Sequence, residues 1–276
     1  PLLFSIAYRM LGDVAEAEDV VQDVYLKVAG ARDVRDPKAF LVTAATRLSI
    51  DRLRSARRRR ETYVGPWLPE PLLGTTPDAS EVAERAETLS LAFLVLLESL
   101  TPVERAAFLL RDAFGFSYAE VASALDRTEV STRQLVHRAR RSLATQRRRA
   151  PVPPDEHRRL LDAFVAACSG EDVDRLTALL AEDAIAYTDG GGEAPAARRP
   201  IEGRARVARF LAGVAKKAPA GAVAEIVAVN GRAGLFLRTS DGPVAVVDVE
   251  TAGGLVQAVY VVAAPSKLRA ARSERV

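Results

Sequence analysis

Two proline-rich breaks cut this chain into three stretches, and neither a helix nor a regular central strand can run through them. The first reads Tyr63-Val64-Gly65-Pro66-Trp67-Leu68-Pro69-Glu70-Pro71 and continues to Pro77; the second is Ala150-Pro151-Val152-Pro153-Pro154. Each proline removes a backbone donor and fixes φ, which favours extended, semi-rigid backbone over helix. A length of 276 residues independently predicts two or three folding units. Trp67 is the one tryptophan of the chain. Placed in a linker, its ring needs a pocket, either in this protein or on a partner.

The first and second stretches have helical periodicity. Val20, Val21, Val24 and Val28 recur three and four apart, as do Phe40, Leu41, Ala44, Leu48 and Leu53. Gly12-Asp13 marks a turn, and Asp36-Pro37 starts the next helix. Thr101-Pro102-Val103-Glu104 combines a capping threonine, an N-terminal proline and a glutamate at the third helical position. Ser117-Tyr118-Ala119-Glu120 repeats the capping box after Gly115. A short helix to Leu125, a turn at Asp126-Arg127 and a longer helix after Thr128 then match a helix-turn-helix.

The third stretch differs. Helical patterning in His157–Cys168 and Val173–Leu180 gives way to strand-like runs at Ala184–Tyr187, Ala222–Val229, Gly234–Arg238, Val244–Val249 and Leu255–Val262. Helices first and strands later, without βαβ alternation, predict an α+β domain.

Charge is clustered more than it is large, since the net charge is only +3. Six arginines crowd residues 52–60, and Arg133, Arg138, Arg140 and Arg141 stud the second helix of the helix-turn-helix. Two cationic helices suggest two contacts with one polyanion, because neutralising phosphates releases counterions. On the helix after Thr128, Val130, Leu135, Ala139 and Leu143 can face inward. Glu129 to Arg133 would then lie deepest in a major groove, where Arg133 could read guanine and Gln134 adenine. Arg138, Arg140 and Arg141 would hold phosphates. His137 reads as a polar surface residue or phosphate donor. Glu16, Glu18, Asp19 and Asp23 form an acidic helix face, either solvated or a dock for a protein partner.

Cys168 is the only cysteine and sits in an apolar helical pattern, so a buried structural thiol is expected. No stretch approaches the roughly 20 apolar residues that span a bilayer, and no signal peptide opens the chain. A cytoplasmic protein with no membrane contact is expected. Pro1 opens inside the apolar pattern Leu2–Tyr8, so a preceding natural segment is expected too.

Together these motifs resemble a family. Tyr8-Arg9-Met10-Leu11-Gly12, Ala17-Glu18-Asp19-Val20-Val21-Gln22-Asp23-Val24 and Asp51-Arg52-Leu53-Arg54 are similar to domain 2 of bacterial extracytoplasmic-function (ECF) sigma factors. Leu100-Thr101-Pro102-Val103-Glu104-Arg105, Tyr118-Ala119-Glu120-Val121-Ala122 and His137-Arg138-Ala139-Arg140 are similar to their domain 4. The resemblance covers residues 1 to about 147. The Trp67 linker, Asp189-Gly190-Gly191-Gly192 and Ala264-Pro265-Ser266-Lys267-Leu268 resemble the SigJ-like subgroup with a fused C-terminal SnoaL-like domain. Glu193 stands where that subgroup commonly has lysine, and Ala264 and Ser266 replace Asn and Asp.

The resemblance implies a multidomain fold. Two all-α sigma domains, a domain 2 helical bundle at 1–61 and a domain 4 helix-turn-helix at 80–149, precede an α+β SnoaL/NTF2-like cone domain at 155–276. Linkers would occupy 62–79 and 150–154. It implies −35 recognition by Thr128, Glu129, Ser131, Thr132, Arg133, Gln134, His137, Arg138 and Arg141. Thr46, Arg47, Asp51, Arg52, Arg54, Arg57 and Arg58 would contact the −10 element. Few aromatic residues are available there for stacking, which implies limited melting power and demanding promoter recognition. Glu18, Asp19, Gln22, Asp23, Tyr25 and Lys27 would meet the RNA polymerase core, whose β′ clamp helices and β flap are the implied partners. Trp67, Leu68, Pro69, Asp189, Gly190, Gly191, Gly192, Lys267 and Leu268 would carry regulation between domains. A stress-responsive role is implied, with no separate anti-sigma factor.

Some relatives of the SnoaL-like fold are cyclases with an acid–base pair, and the candidates for such a pair here are Tyr187, Asp189, Glu193, Asp248 and Tyr260. No metal or cofactor is expected, because the domain offers no His–Asp pair, metal-ligand cluster or nucleotide loop, and a regulatory role is favoured. The pocket of such a fold also leaves room for an unknown small ligand in this domain. The alternative is a helix-turn-helix regulator fused to a small-molecule-converting or ligand-sensing domain.

Overall fold

Short-range signals decide where the first helices start and stop. Helix α1 (Leu2–Leu11) ends at Gly12, whose φ of 67° lets its N–H close onto Tyr8 O at 2.7 Å. Helix α2 (Val14–Ala29) buries Ala17, Val20 and Val24. Helix α3 (Pro37–Arg60) starts from Asp36, which accepts the Ala39 N–H at 3.0 Å, with Pro37 in the first turn. The computed structural model describes residues 1–29, 36–74, 89–146 and 152–269. Pro77, Ser80, Ala150 and Pro151 lie outside them.

Helix α4 (Leu91–Leu97) precedes α5 (Pro102–Phe108), whose capping box pairs Thr101 with Glu104 in both directions. A π-turn, Leu109–Ala113, extends α5, and the Phe114 N–H reaches Leu109 O at 3.0 Å. Ser117 and Glu120 cap α6 (Tyr118–Leu125) in the same reciprocal way. Asp126 then turns the chain in the left-handed region at φ 54° before α7 (Glu129–Gln146).

The two helical stretches pack together, so the described chain forms two units. One joins Pro1–Thr62 with Phe93–Arg148, and the other joins Tyr63–Ala92 with Arg149–Val276. The proline-rich stretch is extended as expected, but it is a packed part of the second unit. Leu68, Pro69, Glu70 and Pro71 are buried, and Leu73–Gly74 forms strand β1.

In the second unit α8 (Pro154–Ser169), α9 (Val173–Leu179) and α10 (Arg204–Ala215) accompany β2 (Leu180–Asp189), β3 (Ile201–Glu202), β4 (Val223–Val229), β5 (Arg232–Thr239), β6 (Gly242–Ala252) and β7 (Leu255–Val262). Among the described residues the sheet has seven strands, ordered β1-β4-β5-β6-β7-β2-β3. Neighbours are antiparallel except β2 and β7, which run parallel. Leu161, Phe164, Leu176, Val207 and Leu211 of the helices form one core with Leu235, Val247, Val249 and Val259 of the strands. His157 fixes α8 to the sheet through Thr251 Oγ1 and Ala233 O, both at 2.8 Å. Burial pushes the Cys168 thiol up to about 12, so it stays protonated and unreactive at neutral pH. The unit is α+β. Among the described residues no helix is long and apolar enough to cross a membrane.

Candidate nucleic-acid interface

Helix α7 divides cleanly into two faces. Thr132, Leu135, Val136, Ala139 and Leu143 are buried, a run of three- and four-residue steps. Val130 was expected inside but is 64% exposed, because it lies in the first turn and off that stripe. Thr128, Glu129, Arg133, Gln134, His137, Arg138 and Arg141 are exposed together. Ser131 is half-buried, and its N–H is capped by Thr128 Oγ1 at 3.2 Å. Thr132 has no exposed surface and donates to Thr128 O at 3.0 Å, so it cannot touch DNA here. Arg133 pairs with Glu129 at 2.7 Å and stands 5.1 Å from the Tyr118 ring centre. Arg138 reaches Glu104 at 3.0 Å. Arg140 is exposed and forks onto Asp112 at 2.8 and 2.6 Å, which ties α7 to the π-turn.

The arginine run of α3 splits by helix face. Arg54 and Arg58 are exposed; Arg54 lies 3.0 Å from Asp51, which is also exposed. Arg52 points at α2, where Glu16, Asp19 and Asp23 surround its guanidinium at 3.2, 3.2 and 2.8 Å. Burial opposes its charge, but those three carboxylates outweigh burial and raise its pKa. Arg57 turns inward and donates to Glu98 O at 3.0 Å and to Leu100 O. Arg47 donates to Ala124 O at 3.1 Å. Thr46 is fully buried, which corrects its expected DNA contact in this arrangement. Of the expected −10 residues, then, Asp51, Arg54 and Arg58 are the ones with outward, exposed side chains and no tie to another helix among the described residues.

On α2, Glu18, Asp19, Gln22, Tyr25 and Lys27 are exposed, and Asp23 is half-buried. Tyr25 and its neighbour Leu26 are 73% and 69% exposed. Leu26 escaped the sequence reading because a leucine in a helical pattern reads as core. The ridge is therefore mixed, with acidic groups beside two large apolar side chains.

In the second unit the residues expected to carry regulation meet at one carboxylate. Asp189 is buried at the end of β2 and accepts from Tyr63 Oη (2.6 Å), Leu68 N–H (2.8 Å), Gly191 N–H (3.0 Å) and Lys267 Nζ (2.6 Å). Lys267 also donates to Leu68 O and stands 4.3 Å from the Trp67 ring centre, which is the partner that ring required. Pro69 and Leu268 are buried nearby in the chain, and Glu193 is exposed. The glycines have steric reasons. A Cβ on Gly190 would sit 2.1 Å from Ala194 O, and Gly191 and Gly192 hold φ of 65° and 77°. A Cβ on Gly191 would also approach Ala264 Cβ to 3.1 Å, so a small residue at 264 suits this corner. Tyr63 was missed in the sequence; its hydroxyl finds a partner 126 residues away, which no local pattern announces.

The five acid–base candidates do not form one open site. Asp189 is fully engaged, Tyr187 stacks on Tyr260 at 5.4 Å, and burial pushes the Tyr260 hydroxyl well above its ordinary value. Asp248 is fully buried, with Oδ1 unpartnered among the described residues; burial, opposed by Arg232, pushes its carboxyl up to about 6. A raised carboxyl opposes folding once ionised. The Asp248 contribution to the stability of the C-terminal unit is therefore greatest below about pH 4 and falls by roughly 2–3 kcal/mol by the time pH has risen through 6. Thermal unfolding against pH checks this: Asp248→Asn should flatten the profile and gain stability at neutral pH. An unchanged profile would show that Asp248 does not titrate there.

Comparison with known proteins matches residues 1–59 to the family model for Sigma-70 region 2 and residues 90–143 to that for Sigma-70, region 4. The ECF RNA polymerase sigma factor SigJ of Mycobacterium tuberculosis is 40% identical over 242 residues, covering 85% of this chain and 77% of that protein. The probable ECF RNA polymerase sigma factor SigI of the same species is 35% identical over 182 residues, covering 64% of this chain and 63% of its own. The crystal structure of M. tuberculosis SigJ superposes with a TM-score of 0.79 at 33% identity, covering 96% of this chain and 94% of that one.

Proposed function

This chain belongs to the ECF RNA polymerase sigma factors, and from that premise we propose how its parts divide the work. The chain is a transcription initiation factor that brings core polymerase to promoters. Helix α7 reads the −35 element through Arg133 and Gln134, while Arg138 and Arg141 hold phosphates. Residues on the outer face of α3, led by Arg54 and Arg58, meet the −10 element. The mixed acidic and apolar ridge of α2 docks on the β′ clamp helices, and the helix-turn-helix half meets the β flap. The C-terminal domain regulates by holding Tyr63–Pro71 and carries no reaction of its own, in the stress-responsive role that the family resemblance implied. Of its candidate acid–base groups, Tyr187, Asp189, Asp248 and Tyr260 are buried or engaged and Glu193 alone is exposed, which supports regulation over catalysis.

The observation that carries this reading is the joint exposure of Arg133, Gln134, His137, Arg138 and Arg141 on one face of α7. Run-off transcription with purified core polymerase and the full chain tests it; no promoter-dependent transcript over a concentration series would reject it. Arg133→Ala is expected to reduce discrimination between promoter and random duplex by about 1–3 kcal/mol. Arg141→Ala should weaken both equally and lower the salt slope by about 1. Equal losses on both duplexes for Arg133→Ala would remove it from base reading.

A further inference from the structure

Helix α10 has an outer face unlike any other in the C-terminal domain. Val207, Ala208, Leu211 and Ala212 are buried, with Val207, Ala208 and Leu211 in the core beside β2. Arg206, Arg209, Lys216 and Lys217 are exposed. At about 100° per residue those four, with Gly213, fall within an arc of about 100°. Lys216 and Lys217 continue the last turn, their N–H groups donating to Ala212 O and Val214 O at 3.0 Å. Between residues 203 and 224 there are five cations and no carboxylate.

Two further observations separate this stripe from an ordinary solvated face. None of its four cations makes a side-chain hydrogen bond or ion pair among the described residues, whereas most basic residues of α3 and α7 do. Gly213 lies in the last turn of α10 and holds no positive φ, so the backbone does not require glycine there. Packing does not require it, because a Cβ there would meet nothing within 4 Å. A glycine on the outer face of a basic stripe lets another molecule's surface come close to the helix backbone.

We propose that the outer face of α10 is a DNA-backbone contact of the C-terminal domain, taking the phosphates of duplex DNA without reading bases. The stripe spans roughly 16 Å at 1.5 Å per residue. B-form phosphates recur at about 3.4 Å of axis per strand, so four cations face a comparable number of them. Duplex DNA is favoured over an acidic protein because the same chain already delivers a DNA-binding helix. A tethered second site then acts at high effective concentration, even if weak alone. The site adds affinity and salt dependence to promoter binding without adding specificity.

The test is binding of the full chain to labelled random-sequence and promoter duplexes across a salt series. A variant combining Arg206→Gln, Arg209→Gln, Lys216→Gln and Lys217→Gln is compared with the natural chain. The salt slope should flatten by about 3–4 on both duplexes, so that affinity falls on the order of a hundred-fold less between about 50 and 200 mM salt. Gly213→Glu is the second variant; it places a carboxylate in the stripe without disturbing the core and should weaken both duplexes by roughly ten-fold at low salt. Unchanged slopes in folded variants overturn the proposal. So does an unchanged slope with weakened binding to core polymerase, which would make the partner an acidic protein surface. The helix-turn-helix reading survives either failure, because it rests on promoter discrimination and not on the slope.

Discussion

Arg105→Met is expected to lower the unfolding free energy of the N-terminal helical unit by about 3–5 kcal/mol in urea denaturation. The Arg105 side chain is 1% exposed and lies between helices from both halves of that unit. Its Nε donates to Leu97 O at 3.0 Å, Nη1 donates to Met10 O at 2.8 Å, and Nη2 stands 2.8 Å from Glu98 Oε1. Glu98 also binds Arg60 at 2.8 Å, and Arg60 donates to Leu11 O at 2.8 Å. Methionine keeps much of the volume but leaves two carbonyls without this donor and Glu98 with one cation fewer. That missing charge, not a cavity, is the main cost.

The same cluster predicts a pH dependence with a definite sign. Burial pushes the Glu98 carboxyl up, but Arg105 and Arg60 outweigh burial and hold it below its ordinary value. Its contribution is therefore present above about pH 4.5 and lost as pH falls through the folded value. Natural and Arg105→Met chains should converge in stability under acid. A loss below about 1 kcal/mol at neutral pH would mean the cluster is effectively solvated. The functional consequence follows from Arg57, whose guanidinium is occupied by Glu98 O and Leu100 O. Arg57, expected at the −10 element, could reach a phosphate only after these contacts open.

What could be read from the sequence was what is decided within a few residues. Both capping boxes, the turn at Asp126-Arg127 and the inward Leu135, Ala139 and Leu143 of α7 follow from spacing alone, and even there Val130 was misplaced because a first-turn residue need not join the stripe. The partners of the arginine run were not legible. Arg52 finds Asp23 across 29 positions and Arg60 finds Glu98 across 38, so charge density signalled a polyanion where part of it serves internal packing. Strand β1 was equally hidden. Leu73 and Gly74 pair with Val229 and Ala228, and two residues carry no periodicity. The residues around Asp189 were named through their resemblance to a known motif, but the reason they belong together, one buried carboxylate with four donors, is visible only in the fold.

Asp189→Asn is expected to cost the C-terminal unit about 3–5 kcal/mol, whereas Lys267→Met should cost clearly less. The asymmetry follows from who is left behind. Without Lys267, the Asp189 carboxylate keeps the Tyr63 hydroxyl and the Leu68 and Gly191 N–H groups as donors, each charge-assisted. Without the Asp189 charge, the Lys267 ammonium, 9% exposed, loses the carboxylate that it touches at 2.6 Å and keeps Leu68 O and the Tyr63 and Trp67 rings among its contacts. Asparagine also presents an NH2 group to a site built of donors. Combining Asp189→Asn with Lys267→Met should therefore recover part of the loss, and a double-mutant cycle would measure that coupling. Hydrogen exchange gives the local readout: the Leu68 amide should lose protection in Asp189→Asn and keep most of it in Lys267→Met. Equal costs for the two single variants, or undiminished Leu68 protection, would mean that the proline-rich stretch is held by burial of Leu68, Pro69 and Pro71 and not by this carboxylate. In that case regulation through the segment would require peeling apolar surface from the sheet, a barrier that no single side chain controls.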